Sequence, residues 1–438
     1  MADLTVDSRS PIWLNRSFRR LFAARSASLL GDGVAAIALT FAVLDTHHGS
    51  TGALGAVLFA RALTQGGFLL LGGVLADRWP RVRLMIGAEI LACAAQTAVA
   101  SVVIAGGASL ATFTALAALS GAAAGLFFPA SASILPQLVE PAQLQPANAL
   151  LRVSINAATL VGAALGGVLV STVGPGRTLA IDAATFLLSA ALLGGIHIRA
   201  APTATAMTLI ASLRGGWAEF TARRWVWAIV AQYAVITACF SGCIRVLGPL
   251  VAERHFRGAL GWSAILSAEA VGFLVGSVLL VRVRPRYPLR VAIFATFGYL
   301  PSLILLGVGA PLWVIVPVMV ADGICSDTFE VLWATALQQH VPGGALSRVT
   351  SYDALGSFGV GAIGLGLAGP IAAAVGVTAT FIGAAAVMFV ASTIVVLIPS
   401  VRSLTLAATP HRVDAALAPS AGPAPAAHPS NTGRRGEE

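Results

Sequence analysis

The sequence predicts an all-α integral membrane protein with twelve transmembrane helices, and three observations support this fold class. Of its 438 residues, 57% are hydrophobic and only 10% are charged, too few polar residues to cover a soluble protein of this length. The apolar residues form unbroken runs and do not alternate with polar ones, which favours helices over a membrane-spanning barrel. The runs also recur at lengths close to the roughly 20 residues that a helix needs to cross the hydrocarbon.

The twelve helices are placed by these apolar runs and by the polar, glycine- and proline-containing segments between them. An even number of crossings leaves both termini on the same side of the membrane. The predicted spans are residues 24–46, 52–76, 84–105, 109–135, 149–173, 178–198, 225–251, 261–281, 289–308, 312–337, 350–375 and 377–399.

The distribution of basic residues predicts the orientation. All 27 basic residues are arginines, and if the N-terminus is cytoplasmic the inner segments hold 22 of them and the outer loops three. Such a bias is typical of multi-pass proteins with both termini in the cytoplasm, and we expect this one in the plasma membrane. The arginines recur between apolar runs, which argues against a nucleic-acid-binding surface. The absence of lysine excludes a P-loop of the usual kind.

The chain is predicted to consist of two pseudo-symmetric six-helix bundles. Sliding the sequence by 202 residues gives 12 identities over positions 121–174, Gly174 with Gly376 among them, against roughly five expected by chance. Six helices separate the copies, so the repeat keeps its orientation, as in transporters with a site between two halves. The predicted parts are a cytoplasmic N-terminal segment (1–20), a first bundle (21–199), a cytoplasmic linker (200–224), a second bundle (225–400) and a disordered cytoplasmic tail (401–438).

The cysteines and histidines do not indicate a metal or cofactor site. Cys239 and Cys243 are one helical turn apart, but no histidine or carboxylate nearby completes a ligand set. We interpret them as small packing residues within a helix. No cofactor is expected.

One loop motif carries a family resemblance. Between the second and third helices the chain reads Gly73-Val-Leu-Ala-Asp77-Arg78-Trp-Pro-Arg81-Val-Arg83, which resembles the loop signature of the major facilitator superfamily. The resemblance implies the major facilitator fold, with Gly73, Asp77, Arg78 and Arg81 as a gating loop. It also implies that Asp77 braces the two halves near the start of the eleventh helix, around Val349 to Asp353. The alternative is a plain basic inner loop.

Further segments are similar to one branch of that superfamily, which includes macrolide and siderophore exporters and is often described as drug:proton antiporters. In the fifth helix, Gly162-Ala163-Ala164-Leu165-Gly166-Gly167 keeps the glycines of an antiporter element but lacks its proline. The segments that carry the similarity are Gly31-Asp32, Ala60-Arg61-Ala62, Pro146-Ala-Asn148, Asp182-Ala-Ala-Thr-Phe and Phe329-Glu330-Val-Leu-Trp333.

Ionisable residues inside the predicted spans are the candidate functional groups, because each costs about 2.5–3.5 kcal/mol or more in hydrocarbon. In the resembled fold helices 1 and 10 line the central cavity. We therefore expect Asp32 to bind a proton or cation, with a structural role beside Arg61 as the alternative. Arg61 of helix 2 is a further proton-coupling or substrate candidate. The other candidates lie on helix 10, where a 100° turn per residue puts them on one side: Asp322, Asp327 and Glu330.

Other charged residues receive structural interpretations. Arg245 and Glu269 lie at similar depth on successive helices and are predicted to form a buried ion pair. Glu89 and Asp182 lie on helices 3 and 6, which are peripheral in the resembled fold, so we expect them to be structural. For Glu330, a brace of the inner gate with Arg348 is an equal alternative.

The predicted function is proton-coupled efflux of a small amphipathic molecule by alternating access, with no enzymatic activity. The partners expected are a small-molecule substrate, protons and the lipid bilayer, and we expect a monomer. The alternatives are an uptake transporter and a non-transporting sensor or scaffold of the same fold; a membrane-embedded transferase ranks last, for want of clustered catalytic groups. Four aromatic residues could form the soft part of the pocket or simply pack: Phe127, Phe128, Phe240 and Trp333.

Overall fold

The computed structural model describes residues 13, 15–106, 109–140, 143–196, 217, 220–282, 285–341 and 343–402. Most of the predicted linker and all of the tail beyond Arg402 lie outside these residues. In the described part the chain folds into helices.

The first half contains six long helices. They are α1 (Arg16–Thr46), α2 (Thr51–Arg78), α3 (Arg81–Ile104), α4 (Leu110–Ile134), α5 (Leu144–Val173) and α6 (Pro175–Gly194).

The second half repeats this arrangement with two interrupted helices. In α7 a six-residue π-helical segment, Gly242–Leu247, separates Arg224–Ser241 from Gly248–His255, and in α9 a 3₁₀ turn, Thr296–Gly298, separates two α-helical pieces. The elements are α7 (Arg224–His255), α8 (Ala259–Arg282), α9 (Pro288–Gly307), α10 (Leu312–His340), α11 (Gly343–Val375), α12 (Val377–Leu397) and the short α13 (Pro399–Arg402).

The helices lie where the apolar runs predict them. Eleven are long and apolar enough to cross a membrane, and the apolar helix Gly359–Val375 occupies the remaining predicted span. Differences occur at helix starts: α1 begins at Arg16 and not at residue 24, because the Asn15 side chain accepts hydrogen bonds from the backbone N–H groups of Ser17 (3.0 Å) and Phe18 (3.1 Å). Such a cap starts a helix in polar sequence, which hydropathy does not detect.

The internal repeat is visible in the backbone. Gly174 lies between α5 and α6 with φ of 84° and ψ of 161°, and Gly376 lies between α11 and α12 with φ of 90° and ψ of 154°. A side chain is strained at such positive φ, so glycine is required at both positions. The matching turns support the prediction of two pseudo-symmetric bundles.

The hydrophobic core is arranged differently at the two ends of the helices. The face at which α1 begins and α12 ends is called the termini face here. At this face each half has its own cluster. The cluster of the first half includes Phe18, Met85 and Leu193, and that of the second half includes Val226, Leu289, Phe329 and Leu337. At the opposite face both halves contribute to one shared cluster, which includes Ile37, Phe41, Leu54, Leu247, Trp262, Ile265 and Leu365.

Two seams join the halves at the opposite face. Along the α2–α11 seam, a Cβ atom on Gly55 would lie 2.7 Å from the carbonyl oxygen of Leu365. Along the α5–α8 seam, a Cβ atom on Gly167 would overlap the side chain of Ser263. Glycine thus allows backbone-level contact between the halves there. In the described part, the protein is closed at the opposite face and divided at the termini face.

Candidate transport cavity

A cavity of about 310 Å³ lies within the first half. Residues from α1 to α6 line it, and Phe127, Phe128, Leu29 and Leu39 form part of its apolar wall. Amide groups of Gln65 and Gln96 also face it. Five charged residues belong to the lining: Arg25, Asp32, Arg61, Glu89 and Asp182.

Asp32 is directed into this cavity by the glycines on either side of it. A Cβ atom on Gly31 would overlap Asp182 and Thr185 of α6, and one on Gly33 would lie 3.0 Å from the Cα atom of Gly162 on α5. Because α1 packs so closely on α5 and α6 through these two glycines, the side chain between them faces the cavity.

Asp32 and Arg61 form an ion pair across α1 and α2. The distance from Arg61 Nη2 to Asp32 Oδ1 is 3.5 Å, and the side chains are 28% (Arg61) and 42% (Asp32) exposed. The long arginine side chain bridges the difference in height between the two positions. The pair is therefore a partly exposed charged contact in the wall of the cavity.

Glu89 and Asp182 line the cavity. This position differs from the expectation that both residues have structural roles on peripheral helices. Ser189 donates a hydrogen bond to Glu89 Oε1 (2.8 Å) and Ser28 donates one to Oε2 (3.5 Å). Asp182 Oδ1 accepts a hydrogen bond from Thr185 (3.3 Å). This polar region was not predicted from the sequence. Its signal was the spacing Ser28–Asp32, which places a hydroxyl and a carboxyl one turn apart on one face of α1.

The three carboxylates of α10 do not meet at one site. Asp322 is fully buried, and its Oδ1 accepts a hydrogen bond from Ser302 of α9 (2.6 Å). Asp327 Oδ2 accepts one from Ser277 of α8 (2.9 Å). The side chain of Glu330 is exposed, and its Oε1 accepts a hydrogen bond from the Tyr233 hydroxyl of α7 (3.4 Å). Each of these acids thus contacts a different neighbouring helix.

The predicted ion pair between Arg245 and Glu269 is not formed within 4.0 Å, although the two described side chains interact electrostatically at longer range. The prediction assumed a regular α7. Arg245 instead lies in the π-helical segment Gly242–Leu247, whose wider turn changes the direction in which side chains project.

The gating loop is only partly described. The backbone of α2 continues as a helix through Gly73, Asp77 and Arg78, whose side chains lie outside the described set, and Arg81 begins α3. The predicted brace by Asp77 therefore stays a prediction. Asp353, in the region expected to receive it, accepts a hydrogen bond from Trp333 Nε1 of its own half (2.9 Å).

The four candidate aromatic residues separate into two groups. Phe127 and Phe128 line the cavity, and Phe128 is 57% exposed. Phe240 packs against Tyr299 with ring centroids 5.2 Å apart. Trp333 is buried beside Trp225 in the second half's own cluster.

Comparison with known proteins identifies the family of this fold and cavity. The sequence profile described as the Major Facilitator Superfamily matches residues 21–364. The chain belongs to the major facilitator superfamily. It is accordingly a multi-pass membrane transporter and not an enzyme.

Among its relatives in this superfamily, the chain is 30% identical over 410 residues to a protein named multidrug efflux pump Tap from Mycobacterium tuberculosis, covering 89% of this chain and 95% of the relative. It is 25% identical over 362 residues to the enterobactin exporter EntS of Escherichia coli, covering 80% and 85%. Its fold matches a crystal structure of a mutant of the nucleoside transporter NupG with a TM-score of 0.71 at 12% identity, covering 86% of this chain and 98% of that one.

Proposed function

We propose that this major facilitator protein is a proton-coupled exporter of small amphipathic molecules that works by alternating access. The names of its relatives, a multidrug efflux pump and an enterobactin exporter, support export. The observation that carries the proposal is the Asp32–Arg61 ion pair in the cavity wall. In this proposal residues 21–199 rock against residues 225–400 within one monomer.

The arginine bias supports placing both termini in the cytoplasm. With that orientation, the divided termini face opens to the cytoplasm and the shared cluster at the opposite face seals the outer side. A substrate would then enter the cavity from the cytoplasm or the inner leaflet. A reporter domain that folds only in the cytoplasm should be active when fused to either terminus. Activity of a reporter that folds only outside the cytoplasm would contradict this orientation.

Coupling follows from the chemistry of the ion pair. A proton on Asp32 removes its negative charge and hence its attraction for Arg61. Arg61 would then be free to move, and the positions of α1 and α2 relative to each other would depend on that proton. Because the pair lies in the cavity wall, substrate and proton compete for the same groups, and this competition is the basis of exchange between them.

The cavity lining indicates the kind of substrate. The rings of Phe127 and Phe128 offer an apolar surface, while Gln65, Gln96 and the carboxylates offer hydrogen-bonding and charged groups. Binding cavities of this type select by shape and by a few placed polar contacts. An amphipathic molecule with one polar or basic end fits this lining.

Transport in everted membrane vesicles tests the proposal. Vesicles with an acidic interior would be given a panel of fluorescent amphipathic probes, ethidium and Nile red among them. Vesicles with the wild-type protein should accumulate at least one probe, and this accumulation should be lost when the pH gradient is dissipated. Asp32→Asn should abolish the dependence of accumulation on the gradient. Asp45→Asn, the same change on α1 outside this cavity, is the matched control.

Other outcomes distinguish the alternatives. Gradient-driven accumulation in whole cells, without accumulation in everted vesicles, would indicate an uptake transporter. If neutralising Asp32 and Glu330 leaves every transport and growth phenotype unchanged, the protein is a sensor or scaffold of this fold.

A further inference from the structure

The second half contains a carboxyl group whose surroundings do not suit a purely structural role. Asp322 of α10 is 0% exposed. Its Oδ1 accepts a hydrogen bond from Ser302 (2.6 Å), whereas its Oδ2 has no hydrogen-bond partner in the described part of the protein. Buried polar atoms almost always have such partners, so Oδ2 requires an explanation.

Glu89 provides an internal contrast. It is also buried, at 2% exposed, but both of its carboxyl oxygens accept hydrogen bonds, from Ser189 and from Ser28. Both oxygens of Glu89 therefore have the partners that buried polar atoms require. Only one oxygen of Asp322 accepts a hydrogen bond. A buried charge without partners is so costly that such a group takes up a proton instead of staying ionised.

Glu269 of α8 lies across a close helix crossing from Asp322 of α10. The two helices cross with almost no separation, because a Cβ atom on Gly272 would lie 2.8 Å from the Cα atom of Gly323 and one on Gly323 would overlap the Glu269 carbonyl group. Asp322 and Glu269 interact electrostatically across this crossing. Glu269 is half-buried, whereas Asp322 is fully buried.

We propose that Glu269 and Asp322 form a second proton-exchange site, located in the second half and separate from the Asp32–Arg61 pair. It rests on the proposed function in that the proton taken up here would be a second one carried in the transport cycle. The Glu269 carboxylate receives a proton from water and passes it to Asp322 Oδ2. Only O–H bonds break and form, and Glu269 returns to its charged state.

The charged and titratable groups around the pair are consistent with this role. Arg245 of α7 lies within electrostatic range of Glu269. From α9, Ser302 donates to Asp322 and the Tyr299 hydroxyl lies within electrostatic range. Cys325, one turn along α10, is the remaining titratable neighbour. Protonation of Asp322 removes the uncompensated charge at Oδ2.

Infrared spectroscopy of the purified, membrane-reconstituted protein tests this site without any substrate. The carbonyl stretch of a protonated carboxylic acid is resolved from that of a carboxylate, so titration from acid to alkaline pH counts the groups that exchange protons. We expect two separate sets of carbonyl bands in the wild-type protein. Asp322→Asn should remove one of these sets. Asp32→Asn should remove the other set and leave the first unchanged.

Two further variants keep the result interpretable. Ser302→Ala deletes the hydrogen bond to Oδ1 and should shift the frequency of the Asp322 band without deleting it. Glu269→Gln should slow proton exchange at Asp322 by at least tenfold in pH-jump measurements, since the relay through the Glu269 carboxylate is lost. If Asp322→Asn folds to the wild-type Tm and the carbonyl titration is unchanged, or if the Asp322 band persists at every pH, the second site does not exist.

The two proposals fail separately. Absence of probe accumulation in everted vesicles, with the Asp322 band titrating as expected, would overturn export but not the proton site. Gradient-driven export that is insensitive to Asp32→Asn but lost with Asp322→Asn would assign coupling to the second half alone. Export that retains its full dependence on the pH gradient in Asp322→Asn would overturn the second site as part of the cycle.

Discussion

Gly33 on α1 lies directly against Gly162 on α5, and a Cβ atom added to either residue would come within 3.0 Å of the Cα atom of the other. This backbone contact lies one residue from Asp32. It shows what the glycines of the 162–167 segment do in this chain, where alanine stands at the position that is proline in the antiporter element. The contact fixes α1 and therefore the direction of the Asp32 side chain.

Gly162→Val should lower stability and transport together, because the added side chain must force α1 and α5 apart. Overpacking of this kind costs about 1–3 kcal/mol, seen as a lower Tm in detergent. Gly87→Ala is the matched control: its site on α3 has no atom within 4 Å of the added Cβ, so this change should be neutral or stabilise by up to about 1 kcal/mol. Equal Tm values for both variants would contradict the packing role.

Neutralising one member of the Asp32–Arg61 pair should be worse for folding than neutralising both. Each single change leaves an uncompensated charge in the cavity wall, at a cost of about 1–3 kcal/mol, between the values for surface and buried pairs. The double variant Asp32→Asn/Arg61→Gln should recover most of the lost Tm but none of the pH-driven transport. Additive Tm losses would show that the two charges do not interact.

A disulfide between α2 and α11 should lock the protein closed at the opposite face. The Cβ atom of Phe59 lies 3.6 Å from the Cβ position of Gly366, within the range that disulfides require. Phe59→Cys/Gly366→Cys would be made after replacing the native Cys93, Cys239, Cys243 and Cys325. Oxidation should stop transport, and reduction should restore it.

The single variant Phe59→Cys in the same cysteine-free background controls for the loss of the ring. Transport at the full rate after complete cross-linking would mean that the α2–α11 seam does not open during the cycle.

A buried polar group that joins α7, α9 and α12 should respond unequally to substitution. The Gln232 amide nitrogen donates to Thr296 (3.2 Å) and Ser392 (3.0 Å), while its Oε1 has no partner among the described atoms. Ser392→Ala leaves Gln232 with fewer partners and should cost about 1 kcal/mol. Gln232→Met removes the unpaired oxygen as well and should be closer to neutral. Thermal unfolding of both variants gives the comparison.

Hydropathy predicted the helices well because each crossing must present about 20 apolar residues to lipid. It did not predict which side of a helix faces the interior. Glu89 and Asp182 were assigned to the periphery because helices 3 and 6 are peripheral in the resembled fold. Both residues nevertheless line the cavity with Asp32, and tight packing at Gly31 brings α6 next to α1. Rotation about the helix axis depends on such contacts and not on average hydropathy.

The acids of α10 show that periodicity also does not predict which neighbouring helix a side chain contacts. Helical periodicity correctly put Asp322, Asp327 and Glu330 on one broad side, but a side of α10 contacts three helices, and each acid pairs with a different one. The π-helical segment at Arg245 was not predictable from periodicity, which assumes a constant turn.

The unequal distribution of apolar clusters gives the protein a preferred resting state. Each cluster at the termini face belongs to one half, so movement of the halves there leaves its interior intact. The shared cluster contains residues of both halves. Opening that face would expose its apolar surface to water, at a free-energy cost of about 25 cal/mol per Å². We expect the unloaded protein to remain sealed at the opposite face. A cell could then keep many copies of the transporter in its membrane without leakage of solutes through them.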